Sequence, residues 1–201
     1  MDIRHEDFSI EDYTKMISIT PNDYRLYIYR GMLYRGNGKT DLAIQDYTKV
    51  IAVNPFSFEG YNNRGIIYYD NKEYDKAISD FTETININPF APQPYISRGS
   101  IYCDNGEYDK AIDDYTSAAN ITPDDFSIYL FRAQVYDKKG ETTLAKNDID
   151  KAVSINPIGV ETYFNAVKRN VGTDSSEYYS SKGLLESYSN EYDSAIHSYT
   201  R

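Results

Sequence analysis

Apolar and aromatic residues fall at steps of three and four along most of the chain, the spacing that lines one face of a helix. Tyr27, Arg30, Gly31 and Tyr34 form one such stripe. The same pattern recurs at Tyr61, Arg64, Gly65 and Tyr68, at Tyr95, Arg98, Gly99 and Tyr102, and at Tyr129, Arg132, Ala133 and Tyr136. A turn-forming group follows each stripe: Gly36-Asn37-Gly38, Asp70-Asn71-Lys72, Asp104-Asn105-Gly106 and Lys138-Lys139-Gly140. A second stripe comes next, as in Ala77, Ile78, Phe81 and Ile85. Acidic residues such as Asp75 and Asp109 open it, which suits the positive end of a helix dipole. It stops before Asn88-Pro89, where the residue ahead of proline is pushed out of α geometry. The pattern predicts pairs of helices throughout, an all-α chain.

The stripes share one period. Glycines stand at Gly31, Gly65 and Gly99, a step of 34 (65 − 31, 99 − 65), and Ala133 takes the next slot. Prolines keep the step at Pro55, Pro89, Pro123 and Pro157, and alanines at Ala43, Ala77, Ala111 and Ala145. The small residues mark where two helix axes approach closely. One helix pair cannot bury its own apolar face, so the pairs must stack. The period divides 1–201, read as a single domain, into a half repeat at 1–23 and full repeats at 24–57, 58–91, 92–125 and 126–159. Glu11-Asp12-Tyr13-Thr14 and Pro21 reproduce a second helix whose first helix is missing. Beyond 159 the register slips: Val167 and Asn170 stand where glycine and tyrosine are expected. The pattern returns as Tyr179-x-x-Lys182-Gly183 and Ala195-x3-Tyr199, its glycine 16 residues late (183 − 167). An inserted helix over 160–175 and a partial repeat over 176–201 account for the slip.

These motifs resemble the tetratricopeptide repeat family, whose pattern is Trp-x2-Leu-Gly-x2-Tyr, then Ala-x3-Phe, then Pro. Ala43-x3-Tyr47, Ala77-x3-Phe81, Ala111-x3-Tyr115 and Ala145-x3-Ile149 carry the second element. Two departures are systematic: tyrosine replaces the tryptophan, and arginine replaces the leucine before the glycine. The resemblance implies a right-handed superhelical solenoid of antiparallel helix pairs. It also implies a non-catalytic module that binds a peptide or protein segment in a concave groove lined by the first helices.

Carried over by register, the groove positions include Tyr29 and Met32 in the first full repeat, and Asn62, Asn63, Ile66 and Tyr69 in the second. Phe131 and Gln134 are their counterparts in the fourth. Such positions vary from repeat to repeat while the packing positions do not, which marks a recognition surface; an ordinary solvated helix face varies too. Tyr29, Tyr69 and Phe131 suit apolar side chains of a ligand, and Asn62 and Asn63 suit its backbone. One subclass of the family clamps the acidic tails of heat-shock chaperones with Lys, Asn and Arg at fixed inner positions. Only Asn63 matches that set; Ile28, Met32, Gln93 and Ser97 fill the other slots, so chaperone-tail binding is not expected.

Charge repeats with the same step. Arg30, Arg64, Arg98 and Arg132 on the first helices precede Asp46, Asp80, Asp114 and Asp148 on the second by sixteen residues (46 − 30). A ladder for an acidic ligand is one reading. An internal brace is the favoured one, because a ligand-reading set differs between repeats whereas a brace recurs. Guanidinium suits it, since it makes two parallel hydrogen bonds to a carboxylate.

Composition narrows the function without naming a partner. The chain has 22 Tyr, 8 Phe and no Trp, and a formal net charge of −10. Such charge repels phosphate backbones and anionic headgroups, so neither nucleic acid nor membrane is expected as a partner. Cys103 is the only cysteine, and no signal-like or membrane-spanning apolar run is present. A cytoplasmic location is therefore expected. With only His5 and His197, no histidine-centred triad or metal cluster is foreseen, and Cys103 reads as a small hydrophobe. Gly36-Asn37-Gly38 reads as an interhelix turn rather than a phosphate loop, and Asp104-Asn105-Gly106-Glu107 lacks calcium-loop spacing. No cofactor and no enzymatic activity are expected. The partner is another protein or peptide, and the alternative to groove binding is self-association through the terminal helices, giving a homo-oligomer.

Overall fold

The computed structural model describes residues 8–170, and side chains as far as Tyr163. Residues 1–7 of the half repeat, the end of the inserted stretch, and the partial repeat at 176–201 lie outside the described residues. Ten helices and no strand occur among the residues described: α1 (Ile10–Ile19), α2 (Tyr24–Gly36), α3 (Thr40–Val53), α4 (Phe58–Asp70), α5 (Tyr74–Ile87), α6 (Pro92–Asp104), α7 (Tyr108–Ile121), α8 (Phe126–Lys139), α9 (Thr142–Ile155) and α10 (Pro157–Asn170). The chain divides into two compact units, with the division inside α6 between Ile101 and Tyr102. In the first unit α2 packs on α3, α3 on α4 and α4 on α5; in the second, α7 packs on α8 and α8 on α9.

Local chemistry sets the helix ends. Ser9 caps α1 and shares a capping box with Asp12, each side chain meeting the other's backbone N–H. Asp23, Ser57 and Asp125 cap the first helices α2, α4 and α8 with side-chain oxygens. The second helices α3, α5, α7 and α9 have no side-chain cap; their starts are tied down by the preceding turn. Lys39, Glu73, Glu107 and Glu141 donate their N–H groups to the carbonyls of Tyr34, Tyr68, Tyr102 and Tyr136, each at 2.8 Å. This closes the first helix in the manner of a Schellman turn, which requires one left-handed residue. That residue is Gly38, Gly106 or Gly140 in three of the turns, and Lys72 (φ 62°) in the other. The second helices end at Asn54, Asn88, Thr122 and Asn156, each directly before its proline.

The helix expected from residue 160 begins earlier than the register suggests. α10 starts at Pro157 rather than 160, with proline at the first helical position, where its missing N–H costs nothing. Asn156 Oδ1 accepts the Gly159 N–H at 2.8 Å and so caps the new helix as the old one ends. In the preceding repeats Pro55, Pro89 and Pro123 are instead followed by two non-helical residues.

Packing within each pair rests on a small residue facing a large one. A Cβ placed on Gly31 would lie 2.8 Å from Cε1 of Tyr47, and one on Gly65 3.0 Å from Cε1 of Phe81. Both rings are fully buried. In the second unit the register pairs Ala133 with Ile149, so the extra methyl on one side coincides with a smaller side chain on the other. Ala43, Tyr47 and Ile67 form one core cluster, and Ala77, Phe81 and Ile101 another.

Tyr47 and Phe81 share one slot but differ by a hydroxyl, and the Tyr47 hydroxyl is buried with no hydrogen-bond partner. Burial pushes its phenol up to about 12. Tyr47→Phe should therefore hold or raise the melting temperature at neutral pH, by up to about 1–3 kcal/mol in stability, since it removes a desolvated polar group. Above pH 10 the unfolded chain loses the phenolic proton while the folded chain retains it to about 12, so stability falls as pH rises. Thermal unfolding at pH 7 and pH 11 should show a smaller loss in Tyr47→Phe than in the wild type. At the strained turn, Lys72→Gly should stabilise by about 0.5–1 kcal/mol, the left-handed penalty exceeding the backbone entropy that glycine adds. Urea denaturation measures this, and an unchanged midpoint would show that the turn is unstrained.

Candidate functional site

Each described first-helix arginine is held on several sides at once. Arg30 donates from Nε and Nη2 to the two carboxylate oxygens of Asp46 at 2.9 and 2.7 Å, and from Nη1 to Thr14 Oγ1 at 3.1 Å. Arg64 makes the same set with Asp80 (2.8 and 2.8 Å) and Thr48 (3.0 Å). Arg132 repeats it with Asp148 (2.7 and 2.7 Å) and Thr116 (2.8 Å). The guanidinium thus joins the second helix of its own repeat to the second helix of the preceding one. Arg98 donates to Thr82 at 2.8 Å within the first unit, and Asp114 is buried in the second.

Two tyrosines of the same helix flank each guanidinium. Arg30 Cζ lies 5.7 Å from the ring centres of both Tyr27 and Tyr34. Tyr61 and Tyr68 flank Arg64 at 5.9 and 5.8 Å, and Tyr129 and Tyr136 flank Arg132 at 5.6 and 5.9 Å. A cation over an aromatic face gains about 0.5–2 kcal/mol, more as water is excluded. The paired carboxylate holds each of these arginines above its ordinary pKa, with burial acting in the opposite direction. The threonines Thr14, Thr48, Thr82 and Thr116 are functional partners that the sequence reading missed. Their signal was present, a 34-residue step sixteen residues before each arginine (30 − 14).

The groove positions divide by how far the fold already uses them. In the first unit Met32 is 54% exposed. Asn62 keeps a buried Oδ1 without a hydrogen-bond partner, and Asn63 beside it is half-buried. Tyr29 stacks on the buried Tyr13 at 5.7 Å. Ile66 and Tyr69 pack against the Ala77–Phe81–Ile101 cluster. Arg35 of α2 reaches Asp70 of α4 at 3.4 Å and ties these two first helices together. In the second unit Phe131 sits between Tyr115 (5.9 Å) and Tyr163 of α10 (6.4 Å), and Gln134 Nε2 donates to Tyr163 Oη at 2.6 Å. Phe131 and Gln134 therefore already serve the contact with α10.

The described residues hold no group of three or more His, Cys, Asp or Glu side chains arranged for a metal, and His5 and His197 lie outside them. Burial pushes the Cys103 thiol up, although the Lys138 amine donates to its sulfur at 3.6 Å. Gly106 in the Asp104–Glu107 stretch occupies the same left-handed turn position as Gly38 and Gly140. No described helix is long and apolar enough to cross a membrane.

Stacked antiparallel helix pairs of this period, with a small residue facing a large one, define an all-α helical-repeat protein of the solenoid type. A TPR repeat profile matches residues 31–72 and 99–140, and two tetratricopeptide repeat profiles match 58–90 and 126–158. The chain belongs to the tetratricopeptide repeat family, whose fold is typically a non-catalytic interaction module. Among solved structures it is similar to a crystal structure of MamA, at 26% identity and a TM-score of 0.70, over 76% of this chain and 89% of that one. A second MamA crystal structure matches at 26% identity and 0.69, over 76% and 83%. MamA from Desulfovibrio magneticus RS-1 shares the fold at 16% identity and 0.68, over 74% and 84%. No curated protein matches the chain.

The arginine geometry makes a quantitative statement about stability. Arg64→Ala leaves the buried Asp80 carboxylate without its partner and should cost about 3 kcal/mol. Arg64→Ala/Asp80→Ala should recover part of that loss, because the uncompensated charge goes with it. Urea denaturation of the two single variants and the double completes the cycle. Additive losses would mean that the pair is not coupled.

Proposed function

We propose that the first unit binds a peptide or protein segment along the first-helix face of α2 and α4, and that the chain works as a non-catalytic adaptor or scaffold. The observation that carries this reading is the Asn62 side chain. Its oxygen is buried and has no hydrogen-bond partner, an arrangement that costs about 1–3 kcal/mol unless something supplies a donor. A bound segment that draws the half-buried side chain outward supplies one through a backbone N–H. Asn63 lies next to it, and the exposed Met32 offers a soft apolar surface on the neighbouring helix.

Two groups of residues support different weights of this reading. Met32, Asn62 and Asn63 are the binding group, because the fold makes least use of them. Tyr29, Ile66, Tyr69, Phe131 and Gln134 shape the face while packing against their own chain. The arginine–aspartate pairs act as braces, since each is saturated by protein partners and leaves little for a ligand. Assembly through the terminal helices is the weaker alternative. Tyr13 of α1 is 1% exposed and carries Phe8 against it at 5.8 Å, so the largest ring of that helix is not available to a second copy, although Ile19 at its end is 79% exposed.

The test is affinity capture from an extract of the protein's own cells, comparing the wild type with Met32→Ala/Asn62→Ala/Asn63→Ala. A protein retained by the wild type should be lost by the variant while the thermal unfolding of the two coincides. Hydrogen exchange in the complex should slow in α2 and α4. Identical capture by both versions would remove the face from consideration.

A further inference from the structure

The loops between repeats carry a feature that neither the repeat nor the first-helix face requires. In the slot after the repeating proline stand Asn22, Phe56, Phe90, Asp124 and Ile158. Polar residues satisfy the slot twice, so packing does not demand an aromatic ring there. Yet two adjacent loops of the first unit both carry phenylalanine, and both rings are 80% exposed. Isolated exposed apolar residues are ordinary on a protein surface. Two identical ones at the same position of neighbouring repeats, each in a built turn, are not.

The turn is the same in both. Asn54 Oδ1 accepts the N–H of Phe56 at 3.2 Å, and the Asn54 carbonyl accepts the N–H of Ser57 at 3.0 Å. Asn88 repeats this with Phe90 at 3.4 Å and Ala91 at 3.4 Å. In the second turn Tyr95 also donates its hydroxyl to the Pro89 carbonyl at 3.4 Å. Proline fixes one backbone angle and the asparagine side chain pins the next residue, so Asn-Pro-Phe is rigid before any partner arrives. A large aromatic side chain projecting from a fixed turn suits a binding anchor, since a few such residues carry most of the energy of an interface. With its oxygen held inside the turn, each asparagine amide still has NH2 donors to offer a partner.

We propose that the Asn54-Pro55-Phe56 and Asn88-Pro89-Phe90 turns form a docking epitope for a protein whose surface carries an apolar pocket one phenyl ring deep, rimmed by an acceptor for the asparagine amide. The area argues for this occupant over a second copy of the chain. Two exposed rings present roughly 300 Å², well short of the ~800 Å² per partner of a standard interface. Pocketed anchors extract affinity from so small a surface, and a flat copy-to-copy contact does not. The formal charge of −10 argues against an anionic membrane. Two turns on one unit also permit a partner with two such pockets, or two copies of a one-pocket domain, to bind with avidity. The epitope lies on the loops and is independent of the α2–α4 face, so the two readings stand or fall separately.

The probe is a cyclic peptide, Asn-Pro-Phe-Ser, with cyclic Asn-Pro-Ala-Ser as its control. Immobilised wild-type protein is exposed to an extract of its own cells and eluted with each peptide in turn. A protein released by the phenylalanine peptide and not by the control is then purified and titrated calorimetrically. Its affinity should fall about thirtyfold for Phe56→Ser or for Phe90→Ser, as for other aromatic anchors, and further for the double variant. Met32→Ala/Asn62→Ala/Asn63→Ala should bind it unchanged. Thermal unfolding of the double variant should match the wild type, since both rings are exposed; the peptide elution is informative without any variant. Release of the same proteins by both peptides, or undiminished binding by the double variant, overturns the proposal. So does a sedimentation mass that rises with concentration in the wild type and not in the double variant, which would assign the rings to self-association. Flotation with phosphatidylcholine vesicles that is lost in the double variant would assign them to lipid, with the same consequence.

Discussion

Two helices of thirteen or fourteen residues, folded back on each other, cannot cover the apolar surface they carry. Every other feature of the chain follows from that constraint. The pair has to be covered by the next pair, so the surfaces offered to the two sides must be complementary, and the same solution is used again at each step. Close approach inside the pair demands a residue without bulk at one point, met by Gly31 under Tyr47 and Gly65 under Phe81. Close-packed interiors tolerate neither voids nor overlaps of a methyl group. Where alanine stands in place of glycine at position 133, the large residue opposite in register is Ile149 rather than an aromatic.

Stacking apolar faces alone leaves the pairs free to slide and rotate, because burial has no preferred direction. The guanidinium groups supply direction. Arg30, Arg64 and Arg132 each fix one oxygen pair on their own second helix and one hydroxyl on the preceding second helix. Buried ion pairs contribute modestly to net stability once desolvation is counted, yet they are strict about geometry. The tyrosines above and below these three arginines account for six of the 22 Tyr: their rings cover a cation, and some keep a hydroxyl for a distant carbonyl, as Tyr27 does with Pro21 at 3.0 Å.

A scaffold made by repetition is left with two kinds of surface that repetition does not prescribe: the outward positions of the first helices, and the tips of the loops. Met32, Asn62 and Asn63 belong to the first kind, Phe56 and Phe90 to the second. Both lie at slots whose residue varies along the chain, although Phe56 and Phe90 themselves keep the 34-residue step, and the proposed partners are read from such slots. The regular positions describe how the protein holds itself. Tyr29 and Phe131 show how the two categories mix, since each stands at a variable position yet leans on a ring of its own chain, Tyr13 in one case and Tyr115 in the other.

The period, the all-α class, the paired helices and their turns were legible in the order of residues because each is a short-range matter. Steps of three and four make a stripe, proline ends a helix, glycine accepts a left-handed turn, and a step of 34 brings like to like. The pairing of Arg with Asp at a distance of sixteen residues was legible for the same reason. Other features belong to the folded chain alone. Thr14, Thr48 and Thr116 join the guanidinium from the preceding repeat; their 34-residue step is in the chain, but only the fold shows that the hydroxyl meets the arginine. Asn156 and Pro157 begin α10 three residues early because one side chain can end one helix and cap the next. Whether a side chain faces solvent or a neighbour depends on which rings arrive beside it. Tyr163 reaches Phe131 and Gln134 from another helix and so removes them from the free surface, while Asn62 Oδ1 is covered without a hydrogen-bond partner and Phe56 and Phe90 stay exposed. Local order along the chain determines which faces exist; contacts between distant residues decide which of those faces remain open.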